Sequence, residues 1–163
     1  MKELLKGIQN RILSEIPAFK YVDEDWGQID YYSTNPPVNF PFVLIDITEV
    51  QWSGEGNGAQ LGIATVLLRI GNMKLGNTSG GAPANQKEKA FEIFDHTESI
   101  HKNLHGWSAG DQLGPLTRLT TRRVRRDDSI QEYQITFSVQ IKDTTGHKKA
   151  QSVRLGTVAI TPL

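Results

Sequence analysis

Apolar residues open the chain at helical spacing. Leu5, Ile8, Ile12 and Ile16 fall three, four and four residues apart, one stripe of an amphipathic helix that Pro17 limits. The stretch from Tyr21 to Tyr32 is acidic and aromatic and contains Asp23-Glu24-Asp25-Trp26. Prolines in Asn35-Pro36-Pro37-Val38-Asn39-Phe40-Pro41 predict an extended, non-helical approach to the next element. From Phe42 to Val50 the pattern is that of a strand. Val43, Ile45 and Ile47 share one face, and Phe42 and Leu44 make the other face apolar at its start. A strand apolar on both sides belongs inside a sheet or against a partner chain. Gly54, Gly56 and Gly58 interrupt the pattern, and Leu61 to Ile70 resumes it with Ala64, Val66, Leu68 and Ile70 on one face. The expectation is a hairpin with a long, glycine-rich tip.

Gly71 to Pro83 reads as a loop. A second helix follows, capped by Asn85 with Glu88 three residues on, and stopped by Gly106. Its apolar stripe is Ala90, Ile93 or Phe94, Thr97, Ile100 and Leu104. After Gly110, Gly114 and Pro115 comes a last hairpin turning at Asp127-Asp128-Ser129. Its second strand alternates Tyr133, Ile135, Phe137, Val139 and Ile141 with Gln134, Thr136, Ser138 and Gln140. The predicted order is helix, strand, strand, helix, strand, strand, with a C-terminal strand or arm over residues 144–163 beyond a single domain spanning 1–143. Hairpins joined by helices define an α+β fold, an antiparallel sheet of about four or five strands with both helices on one face.

Composition narrows the function classes. The chain has 163 residues, 37% of them hydrophobic, with 18 Lys plus Arg balancing 18 Asp plus Glu. Such a chain is neither wholly disordered nor a globally basic nucleic-acid binder. It has no cysteine, which removes disulfide frameworks, thiolate metal sites and thiol nucleophiles. The first helix is interrupted by polar residues and lacks the apolar run of roughly 7–15 residues that a signal peptide needs. No apolar run approaches the roughly 20 residues of a membrane span. The expectation is a soluble chain with no membrane partner.

Three motifs invite a chemical reading. Gly106-Trp107-Ser108-Ala109-Gly110 fits G-x-S-x-G, with Asp127 or Asp143 and then His147 in hydrolase order. That mechanism needs a strand before the serine and a helix after it, whereas this pentapeptide follows a helix. His101 and His105 stand one helical turn apart, but the HExxH pattern is absent and basic residues in a last turn also offset the helix dipole. The run Gly54-Glu55-Gly56-Asn57-Gly58 opens a strand, so no helix N-terminus is available for phosphates. The sequence therefore assigns no catalytic, cofactor or metal site, and the expectation is that the protein is not an enzyme.

The informative cluster is Arg118, Arg122, Arg123, Arg125 and Arg126, with no acid among them. In a regular strand Arg118, Arg122 and Arg126 share one face and Arg123 and Arg125 the other. Buried unpaired charge is costly, so this part of the strand should project beyond the core toward nucleic acid or another subunit, or form a solvated hairpin paired with acids such as Asp127, Asp128 and Glu132.

With these elements in place, the chain resembles the phage tail terminator, or tail completion, family of lambda-like minor tail proteins. The resemblance lies in the opening helix Leu4–Ile16, the approach Asn35-Pro36-Pro37 to the strand Pro41-Phe42-Val43-Leu44-Ile45, and the second strand Ala64–Ile70. It continues through a helix ending Ile100-His101-Lys102-Asn103-Leu104-His105-Gly106 and the hairpin Arg122-Arg123-Val124-Arg125-Arg126-Asp127-Asp128. The resemblance implies a prophage-encoded subunit of a ring, commonly a hexamer, that caps the tail tube and docks to the head–tail connector. Its partners would be copies of itself, the tail tube protein, the connector protein and, transiently, double-stranded DNA in the lumen. It would assemble in the bacterial cytoplasm and reside in the virion tail. A ring demands heterologous contacts, and acidic Asp23-Glu24-Asp25 against the basic 118–126 strand forms an opposite-charge pair for one. The rival readings are a nucleic-acid-binding module using the same arginines and another connector or head–tail joining component.

Overall fold

The computed structural model describes residues 1–30, 37–74 and 76–146; most of the expected C-terminal arm, His147 and the Asn35-Pro36 step lie outside the described residues. Along these residues run α1 (Lys2–Glu15), β1 (Tyr21–Glu24), β2 (Phe42–Gly56), β3 (Ala59–Met73), α2 (Ala84–Leu104), β4 (Thr117–Val124) and β5 (Ile130–Asp143). The strands form one sheet in the order β1-β2-β3-β5-β4. The fold is α+β, as the pattern predicts.

Three details differ from expectation. The start of the acidic, aromatic stretch is itself a strand: Tyr21–Glu24 lies parallel to β2, Tyr21 beside Phe42 and Glu24 beside Ile45. The sheet is therefore mixed, with antiparallel pairing elsewhere. The expected long tip after β2 is a two-residue turn. Gly56 pairs with Ala59, and Asn57 and Gly58 take φ of 51° and 81°. A tight hairpin needs positive φ at both central residues, and Asn-Gly supplies it at least cost. Finally, α2 begins at Ala84 with Pro83 as N-cap and no side-chain cap, so Asn85 is inside the helix.

Both helices cover one sheet face. Leu4, Ile8 and Ile12 of α1 and Ile93, Ile100 and Leu104 of α2 meet Val43, Ile45, Ala64, Val66, Leu68, Ile70, Ile135, Phe137 and Val139. Leu4 lies deeper than Leu5, which is only partly buried. Phe94, the alternative to Ile93 in the stripe, is 49% exposed. The other face carries a smaller cluster of Ile29, Val38, Phe42, Leu44 and Ile130, covered in part by the chain between β1 and β2. There the Phe42 ring lies over Gly71, its cross-strand partner, so closely that any β-carbon at position 71 would collide with it.

Adding that β-carbon should therefore strain a packed cluster. Gly71→Ala is expected to lower stability by about 1–3 kcal/mol, the range for overpacking. Gly54→Ala enters open space and should stay within about 0.5 kcal/mol of the parent. Urea unfolding followed by circular dichroism compares the two.

Candidate functional site

Two charged features organise this molecule: a buried ion network on the face that bears no helix, and the two edges of the sheet. The network starts with Arg69, in the middle of β3 on the face away from the helices and only 8% exposed. Its Nε donates to Glu132 Oε1 at 2.7 Å and its Nη2 to Glu132 Oε2 at 3.1 Å. Nη1 and Nη2 also donate to Asp30 at 2.5 and 2.8 Å, and Nη1 reaches Asp25 Oδ2 at 3.1 Å. Glu132, fully buried on β5, further accepts Arg126 Nη1 at 2.9 Å and Gln134 Nε2 at 3.0 Å. Arg126 closes the network with Asp128 at 2.7 Å and the Ile29 carbonyl at 2.7 Å.

The physics follows from burial. Stripping water from a carboxylate costs several kcal/mol unless its lone pairs are filled. Burial pushes Glu132 upward, but Arg69, Gln134 and Arg126 outweigh it and hold the carboxyl below its ordinary value. Hydrogen bonds from Arg69 lower Asp30 likewise, against the smaller effect of burial. Burial lowers Arg69, and its bonds to Asp30 and Glu132 more than reverse the effect, so it stays charged. Asp128 raises Arg126, with Glu132 adding to it against burial.

This arrangement corrects the expectation for two candidate residues. Arg126 does not project: it folds back into the protomer onto Asp128 and Glu132, two of the acids the hairpin offered it. Asp25 is not a free edge carboxylate, because Arg69 and the Gly27 amide, at 3.0 Å, hold it. Asp23 is engaged by the Tyr21 hydroxyl and the Glu24 amide, both at 2.9 Å. Sequence reasoning missed Arg69. The available signal was one cation inside the otherwise apolar run Val66–Ile70 of β3, which requires a buried acid nearby.

Arg118, Arg122, Arg123 and Arg125 are exposed on or beside β4. They do not alternate as a regular strand would. The register shifts between Arg118 and Thr120, so Arg118 stands opposite Phe137 and Arg123 opposite Tyr133, on the helix-bearing face. Arg122 stands opposite Gln134, on the other face, and donates to it through Nε at 2.9 Å. The bulge leaves Leu119 56% exposed.

The remaining motifs have local partners. The Ser108 hydroxyl donates to the carbonyls of Gly110, at 3.0 Å, and Leu113 in the loop after α2. Gly106 takes φ of 79° just past the helix. The His105 ring accepts the Arg118 amide through Nδ1 at 3.2 Å and lies 4.9 Å from the His101 ring. No group of three or more His, Asp or Glu residues suited to a metal occurs among the described residues. Nor does any described helix have the length and apolarity to cross a membrane.

No family model matches the sequence, and no curated protein matches it. Among solved structures the fold is similar to that of a chain from the virion of a native gene transfer agent particle. The TM-score is 0.57 at 10% identity, over 86% of this chain and 95% of that chain. The likeness establishes a shared fold running through nearly the whole of both chains.

The ion network gives two expected outcomes. Glu132→Gln should cost about 3–5 kcal/mol, since it leaves buried cations short of a partner; denaturant titration at neutral pH measures it. The folded protein also holds Glu132 and Asp30 below their unfolded values, so on acidification the unfolded chain binds those protons first. Stability should be full above about pH 5 and fall progressively below it, a slope that Glu132→Gln flattens in melting curves taken at stepped pH.

Proposed function

We propose that this protein is a structural component of a phage-like virion, a tail terminator that forms a ring, caps the tail tube and docks to the head connector. The observation that supports the reading is a fold shared with a virion chain over 86% of this chain and 95% of that one. The tail position rests on the resemblance in element order and local sequence. In this reading the exposed arginines on β4 serve a neighbouring subunit or face DNA in the lumen, and the chain performs no catalytic step. The protein would be made in the bacterial cytoplasm and end in the virion.

A nucleic-acid-binding module is the second reading, favoured by the exposure of Arg118, Arg122, Arg123 and Arg125. No aromatic residue interleaves with them on β4, where a single-strand stacking platform would need one.

Negative-stain microscopy of the purified protein should show closed rings, and replacing Arg122 and Arg123 together by Glu should dissociate them. Monomers of the parent at all concentrations would overturn the ring. Steeply salt-dependent DNA binding by a monomer would favour the second reading.

A further inference from the structure

We propose that the free edge of β4 in one copy of this chain pairs antiparallel with the free edge of β2 in a second copy, with Arg122 beside Glu49. The inference rests on the ring reading and supplies its contact.

Both edges are open among the described residues. β4 is bonded to β5 alone. β1 covers β2 only from Phe42 to Ile45, with one further bond from the Asp25 amide to the Ile45 carbonyl at 2.9 Å. Beyond that point β2 continues to Gly56 with β3 on one side and no described strand on the other. Rows of unpaired amides and carbonyls are templates for another strand.

Charge selects the partner. β4 carries Arg118, Arg122 and Arg123 and no acid; the open part of β2 carries Asp46, Glu49 and Glu55 and no base. Two β4 edges, or two β2 edges, would set like charges face to face, which is destabilising. The unlike edges attract, so the contact is heterologous, as a ring requires. Where β1 ends, burial first and then the neighbouring Asp25 and Glu24 carboxylates raise the Asp46 carboxyl, so a cation brought to this edge would favour its charged form.

Direction and face agree as well. Successive antiparallel pairing of β2, β3, β5 and β4 makes β4 run opposite to β2. Extending the sheet past β4 with a second copy's β2, helices on the same side, therefore gives an antiparallel pair. In that arrangement Arg122 and Glu49, the partners of Gln134 and Thr65, both lie on the face without helices. In that register the unbroken ladders Thr120–Val124 and Glu49–Gly54 overlap at three pairs, Arg122 with Glu49, Thr121 with Val50 and Thr120 with Gln51, and a bulge flanks them on each strand. Large apolar side chains stand exposed at both edges, Leu119 at 56% and Trp52 at 42%, and would be covered together.

Charge exchange tests the contact by light scattering across a dilution series at low ionic strength. Arg122→Glu and Glu49→Arg should each weaken assembly by about tenfold or more, and the two reversals combined in one chain should restore it. Parent assembly with both single variants unaffected overturns the edge contact while leaving the ring intact. A parent that never assembles overturns both. Should either variant lose its circular dichroism signal, hydrogen exchange on the parent decides. Amides of 120–122 and 49–51 directed away from β5 and β3 that gain protection only on assembly support the pairing. Those outward amides equally exposed at every concentration, or already protected in the monomer, overturn it.

Discussion

The buried charge of the described residues is arranged around one constraint: Arg69 sits in a buried strand and must be neutralised where it stands. Its fork of donors faces Glu132 across the β3–β5 pair and Asp25 and Asp30 from the segment following β1. Filling those donors ties the segment after β1 onto the face that the helices leave bare. It also draws the β4–β5 turn inward through Arg126 and Asp128, since Glu132 serves both arginines. A buried ion pair is weak support for net stability, because desolvation can exceed the Coulomb gain. Its consequence here is geometric. It fixes where β1 must lie and which side chains of two charged stretches remain outside.

The sequence made the apolar architecture readable and the polar architecture obscure, for a physical reason. Helical stripes and the alternation of Tyr133 to Ile141 are local periodicities, each set by one element burying one face. They predict the helices, the main strands and their common core. Arg126 and Glu132 are hairpin neighbours whose pairing was legible, but Arg69 lies 63 residues from Glu132 and 39 from Asp30, with no periodic signal; only the fold brings them together. Register is equally invisible. One bulge near Leu119 moves Arg118 to the face of Arg123 and separates it from Arg122, and a single-residue shift of that kind exchanges every side chain beyond it between faces. β1 escaped notice because a four-residue strand rich in acids has weak intrinsic preference and exists through its parallel pairing with β2. The Asn57-Gly58 turn had a legible signal that the surrounding glycines masked.

Taking Arg126 and Asp25 out of the exposed set sharpens the remaining charge pattern. What stays on β4 is cationic, and what stays on the open part of β2 is anionic, at opposite ends of one sheet. Proteins commonly protect exposed edges with charge and bulges, and β4 has both. Protection by a single sign works against an identical edge and fails against its opposite. A lone subunit could be guarded equally well by arginines at both edges. Unlike signs at the two edges instead forbid symmetric pairing while leaving head-to-tail pairing open, the condition for a closed ring or a filament. The likeness at 10% identity bears on the fold alone. Strand order and the covered face are set by apolar patterns that many sequences satisfy, whereas edge charges are not fixed by burial and are free to serve a contact.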